Sequence, residues 1–137
     1  MQAVCKTYGV KFIIHTFWRA GLALGADGAH LPLPVCAVMT VAERLQTGRF
    51  GISVHSAEEA KAAIKFGAAY LIAGHIYESS CKQGLLPRGP AFLKEICTLS
   101  PVPVYAIGGI GLNKAQLEEV LACGAAGACV RSAFMQL

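Results

Sequence analysis

Hydrophobic residues in this chain come in short, nearly unbroken runs rather than in clean alternation. Lys11–His15, Ala29–Leu31, Phe50–Val54, Tyr70–Ile76, Val102–Ile107 and Ala128–Val130 read as strands. Near-continuous apolar character is what parallel strands covered on both faces show. Between them, the mixed polar and apolar segments Phe17–Leu24, Val41–Gln46, Ala57–Phe66, Pro90–Leu99 and Lys114–Ala122 read as helices. Their starts carry capping chemistry. Thr40 with Glu43 and Ser56 with Glu59 have the spacing of capping boxes. Asn113 stands at an N-cap position with Gln116 three residues on, and Gly89-Pro90 puts proline where a helix start tolerates it.

Helices hand over to strands through a recurring motif: Gly25-Ala26-Asp27-Gly28-Ala29, Gly67-Ala68-Ala69 and Gly124-Ala125-Ala126-Gly127. A left-handed glycine ends each helix, and small residues let it settle onto a sheet. Repeated helix-to-strand returns imply a parallel sheet. The order fits either a (β/α) barrel or a doubly wound sheet. Residues 1–137 read as one domain, but a complete eight-stranded barrel needs about 200 residues or more. The opening Val4–Val10 reads as the tail of a helix, and the chain stops just after its last strand. Both ends are therefore expected to be cut, which leaves an open sheet edge and predicts self-association.

Composition narrows the class. At 55% hydrophobic and 15% charged residues, the chain is not a disordered one. Its net charge of +4 comes from scattered lysines and arginines without a basic run, which argues against nucleic acid and favours a small anionic ligand. No apolar stretch approaches the roughly 18 residues of a membrane span. The N-terminus does not read as a signal peptide. None of the six cysteines forms a C-x-x-C pair, so reduced thiols in a cytoplasmic setting are expected. Cys81 alone lies in a polar loop.

The most informative segment is Tyr105-Ala106-Ile107-Gly108-Gly109-Ile110, an apolar strand running straight into two glycines. Glycines there let backbone N–H groups approach a ligand, and phosphate is the usual one.

The segment Phe50–Ala60 resembles the fifth strand and following helix of the thiamine phosphate synthase/TenI superfamily. Tyr70 to Lys82 resembles its sixth strand and long loop. Pro103–Ile110 and Gly124–Phe134 resemble its seventh and eighth units, and Tyr8–Leu31 its third and fourth. The resemblance implies a TIM (β/α)8 barrel, incomplete here, with the first two strands and the last helix missing. Two places bear on the branch. Gly74-His75-Ile76-Tyr77-Glu78-Ser79-Ser80-Cys81-Lys82 is similar to the TenI-type thiazole tautomerases, whereas the synthases usually have proline at the position of His75. The synthases also have Asn-Asp-Arg where this chain has His15-Thr16-Phe17, and that Asp resembles a magnesium ligand for the pyrophosphate substrate. A threonine hydroxyl is no equivalent of a carboxylate for a hard cation.

On these grounds the expected activity is that of a thiazole tautomerase-type isomerase. His75 is the implied acid and base on a phosphorylated thiazole, with no metal and no cofactor. Taken alone, His75 reads as a core histidine; the motif makes it catalytic. Gly108, Gly109 and Ser132 are the implied phosphate site, as loops after the last two strands commonly are in barrels. Lys82, Arg88 and Ser56 are the further substrate-binding candidates. An exposed loop lysine and a helix N-cap explain Lys82 and Ser56 equally well. Arg131 and His55 carry less weight, and His30 reads as structural as readily as functional. The alternatives are thiamine phosphate synthase and a non-catalytic phosphate-binding or inactive partial barrel.

Overall fold

A computed structural model of the protein describes residues 1–78 and 84–136. After α1 (Gln2–Thr7), the order is β1 (Ile13–His15), α2 (Trp18–Leu24), β2 (Gly28–Pro32), α3 (Leu33–Val38), α4 (Val41–Thr47) and β3 (Phe50–Val54). Then come α5 (Ala57–Lys65), β4 (Tyr70–Gly74), α6 (Gly89–Leu99), β5 (Val104–Ile107), α7 (Lys114–Ala122), β6 (Gly127–Cys129) and a 3₁₀ turn, Phe134–Gln136.

The six strands form one parallel sheet in sequence order, β1 to β6, so it is a half-barrel with β1 and β6 at its edges among the described residues. When neighbouring parallel strands follow one another in sequence, right-handed crossovers put every connecting helix on the same face. The burial shows it. Leu31, Ile52, Val54, Leu71, Ala73, Val104 and Ala106 point to the helices and pack with Ala60, Ala63, Leu93, Ile96 and Val120. The residues between them, Ser53, Tyr70, Ile72, Tyr105 and Ile107, face the other way and stay half-buried or exposed. The expectation of strands covered on both faces is thus met on one face only. The inner row looked apolar in sequence because tyrosine and isoleucine fill it.

The junction glycines Gly25, Gly67 and Gly124 all have positive φ, as expected. One helix was not foreseen. α3 carries Pro34, but within the first turn, where the missing N–H removes no intrahelical bond. The Thr40–Glu43 capping box is complete. At Ser56 only half of the box forms: Ser56 Oγ accepts from the Glu59 N–H at 3.1 Å, while the Glu59 carboxylate takes the His55 N–H instead.

Candidate active site at the carboxyl ends of the strands

The turn after β5 lies directly on the chain that leaves β4. The Ile76 N–H donates to Ile107 O at 2.9 Å and the Tyr77 N–H to Gly108 O at 3.0 Å, continuing the ladder past both strands. Gly108 and Gly109 have φ of +102° and +67°. A Cβ at Gly108 would stand 2.3 Å from His75 Cβ, and one at Gly109 would stand 2.1 Å from Glu78 O. These glycines therefore serve close approach of two backbones as well as the turn itself. Gln116 in the first turn of α7 fixes the far side. Its Oε1 accepts from the Gly111 N–H and its Nε2 donates to Gly109 O, both at 2.9 Å. Asn113 caps the same helix by accepting from the Ala115 N–H at 2.9 Å.

His75 is 5% exposed, beneath Gly108. Its Nε2 is 3.3 Å from Leu85 O, and its own carbonyl accepts from the Arg88 N–H at 2.9 Å. One ring nitrogen and the backbone carbonyl of His75 thus tie the 84–88 segment to the end of β4. Arg88 occupies the N-cap position of α6, with its guanidinium over the Phe92 ring. Ser56 is the N-cap of α5. Ser132 is exposed just beyond β6, and its carbonyl accepts from the Met135 N–H at 3.2 Å. The Ile107–Cys129 register brings that segment to the same end of the sheet as Gly108. The structure therefore gathers His75, Arg88, Gly108 and Gly109 around the ends of β4 and β5, with Ser56 and Ser132 just beyond the ends of β3 and β6. Lys82 and Cys81 lie outside the described residues.

A second cluster lines the inner face and was not foreseen as a unit. His15 and His30 have ring centroids 5.5 Å apart, His30 and Tyr70 are at 5.7 Å, and Tyr70 meets Tyr105 edge-on at 5.9 Å. His30 Nε2 is 2.8 Å from Ser53 Oγ. Burial, helped by the nearby His15, pushes the His30 pKa down to about 4. Burial first, and then the neighbouring Cys129 and Tyr105, push the Tyr70 hydroxyl up to about 12. His30 and Tyr70 are therefore both neutral near pH 7. Gly51 makes this row possible, since a Cβ there would stand 2.1 Å from Tyr70 Cζ. The pairing of His30 with Gly51 and of Gly51 with Tyr70 would have exposed the row in sequence, had the strands been set side by side.

Among the described residues, no group of three His, Cys, Asp or Glu side chains is placed to hold a metal ion. Nor is any helix of these residues long and apolar enough to cross a membrane.

The family profile described as thiamine monophosphate synthase matches residues 1–134. A thiamine-phosphate synthase of Geobacillus kaustophilus (strain HTA426) is 36% identical over 136 residues, covering 98% of this chain and 61% of that protein. One of Bacillus thuringiensis subsp. konkukian (strain 97-27) is also 36% identical, over 138 residues, with the same coverage. The solved structure of a thiamine phosphate pyrophosphorylase from Pyrococcus furiosus superposes with a TM-score of 0.82 at 33% identity, over 98% of this chain and 64% of that one. The chain thus spans less than two thirds of the length of these relatives. Their names overturn the expectation of a thiazole tautomerase, which rested on His75 and the loop after it. The proton transfer on the thiazole that the tautomerase reading gave to His75 falls with that expectation.

Proposed function

The chain belongs to the thiamine monophosphate synthase family, and from that premise we propose that it serves the synthase reaction, joining a pyrimidine pyrophosphate to a thiazole phosphate. In that reaction the thiazole nitrogen forms a bond to the methylene carbon of the pyrimidine, and the bond from that carbon to the pyrophosphate oxygen breaks. Pyrophosphate leaves with the electron pair. The observation that carries this reading is the 36% identity to thiamine-phosphate synthases over 98% of the chain, including every strand end described above.

In this reading the half-barrel is the β/α framework of a TIM-type barrel, and the chemistry takes place at its carboxyl end. The N–H groups of Gly108 and Gly109, with the Ser132 hydroxyl, hold the thiazole phosphate. Their turn is pinned from two sides, by the chain after β4 and by Gln116, so little ordering is left to binding. Tyr70, at the start of β4, and Tyr105, in β5, add aromatic surface to the inner face of the sheet. Arg88 and His75 fix the segment between β4 and α6 that borders the site.

The family resemblance attaches magnesium to an aspartate at the position of Thr16. The donors here are an imidazole and a hydroxyl, a poor set for a hard cation that seeks charged oxygen ligands. No step of the reaction is assigned to that ion.

The test is to incubate the purified chain with both substrates and follow thiamine phosphate and released pyrophosphate together. Equal amounts of the two products are expected. A folded chain that yields neither would overturn the proposal.

A further inference from the structure

The turn after β1 is built in a way that a simple strand end does not require. Thr16 has φ of +66°, the single positive value for a non-glycine residue among those described. For a β-branched side chain this is a true outlier, costing about 1–2 kcal/mol. The surroundings hold it in place. The Thr16 N–H donates to His30 O at 2.8 Å, the Phe17 N–H donates to His15 O at 2.7 Å, and the Trp18 N–H donates to Thr16 O at 2.9 Å. What the distortion achieves is a contact of 2.7 Å between Thr16 Oγ1 and His15 Nδ1. With the hydroxyl donating to Nδ1, the ring proton belongs on Nε2, and His15 is exposed at the carboxyl end of its strand. The neighbouring His30 is buried and neutral near pH 7, so it adds no competing charge beside the imidazole.

Among the described residues, the carboxylate paired nearest this turn in the chain is Glu43, held by Arg19 in the first turn of α2. None of the eight acidic residues lies on a strand or in the turns that follow β1 and β2. Those nearest in sequence are already engaged. Asp27, at the opposite end of β2, accepts from the Phe12 N–H and Lys11. Glu43 completes the cap of α4 and pairs with Arg19.

We propose that this turn is a metal-free anion site, in which the His15 imidazole, oriented by Thr16, donates directly to the pyrophosphate end of the substrate. The inference rests on the synthase reading for the identity of the anion. It departs from that family's magnesium chemistry at this position, because the side chains present offer a hydrogen-bond donor in place of a cation ligand.

The test uses the full chain and inorganic pyrophosphate, titrated calorimetrically in buffer containing EDTA. Pyrophosphate is expected to bind, and His15→Ala to weaken binding about tenfold, the value of one charge-assisted hydrogen bond. Thr16→Gly relieves the backbone strain while freeing the imidazole. It should raise the unfolding midpoint yet lower pyrophosphate affinity, a combination that a purely structural role would not give. In parallel, Mn²⁺ is added alone and its free signal followed by electron paramagnetic resonance. The native chain should leave that signal intact, whereas Thr16→Asp should diminish it, since aspartate tolerates this φ and supplies the missing ligand.

Retention of Mn²⁺ by the native chain, with broadening of the His15 ring resonances, would overturn the proposal. So would pyrophosphate binding that ignores His15→Ala, or no binding without metal. A chain that binds pyrophosphate through His15 but makes no thiamine phosphate would refute the synthase reading alone. A chain that turns over only with a metal retained at this turn would refute this inference alone.

Discussion

Gly109→Ala is expected to lower stability by roughly 3–5 kcal/mol, at the upper end of what single substitutions do. Two effects combine. The φ of +67° costs an alanine about 1 kcal/mol or more on conformational grounds. Steric overlap costs more: the new Cβ would stand 2.1 Å from Glu78 O and 2.8 Å from Tyr77 C and Cβ. Two of these are backbone atoms held by the Tyr77 N–H bond to Gly108 O, so no rotamer change relieves the clash. Either the turn lifts off the chain leaving β4 or that chain moves away. Against a total stability of about 5–15 kcal/mol, the loss is severe. Gly67→Ala is the matched control. Its φ is +88°, but nothing lies within 4 Å of the added Cβ, so it carries the conformational cost alone. Urea unfolding of the two variants separates backbone strain from overlap. Equal midpoints would mean that the two strand ends do not press together as described.

Acid should destabilise the protein well before its carboxylates are titrated. His30 has a folded-state pKa of about 4, against about 6.5 in an unfolded chain. Between those values the unfolded state binds the proton and the folded state does not. Stability therefore falls as the pH is lowered from about 6.5 to about 4, and levels off for this group below that. The difference corresponds to roughly 3 kcal/mol if the whole shift is expressed. Asp27 and Glu43 have lowered pKa values, through their hydrogen bonds to Phe12 and Thr40. Their contributions are lost at lower pH, so the upper part of the window belongs to His30. His30→Gln, which keeps a polar partner for Ser53, should flatten the unfolding midpoint between pH 6.5 and 5. An unchanged acid limb in that variant would show that the imidazole is not the group responsible.

The fold was largely legible because its signals are local. β3 and α7 fall at the bounds that periodicity and capping set, Phe50–Val54 and Lys114–Ala122. The Thr40–Glu43 pair closed both halves of its box, because Arg19 takes Glu43 Oε1 and leaves Oε2 to the Thr40 N–H. At Ser56 a competitor exists, the His55 backbone and ring, and it took the carboxylate. Such a contest depends on three-dimensional distances and leaves no trace in spacing. α3 escaped notice because Leu33-Pro34 reads as a break unless the first turn is already known.

The site was legible in part. Two glycines at a strand end pointed to the turn, but not to its dependence on Gln116 and the chain after β4. The inner row of His15, His30, Ser53, Tyr70 and Tyr105 needs the register of four strand pairs before it becomes one surface. His75 pointed to the tautomerases only through the motif around it; taken alone it reads as a core histidine. Only its distance to Leu85 O shows where the ring is engaged. The chain's similarity to synthases extends over 98% of its length, and that outweighs one motif.

The most direct test of the phosphate turn is a thiazole phosphate titration followed through the backbone amide resonances of the chain. The amides of Gly108, Gly109 and Ser132 should show the largest shifts and saturate together. Saturable binding that leaves those three unmoved and shifts amides elsewhere would contradict the arrangement on which the proposed function depends.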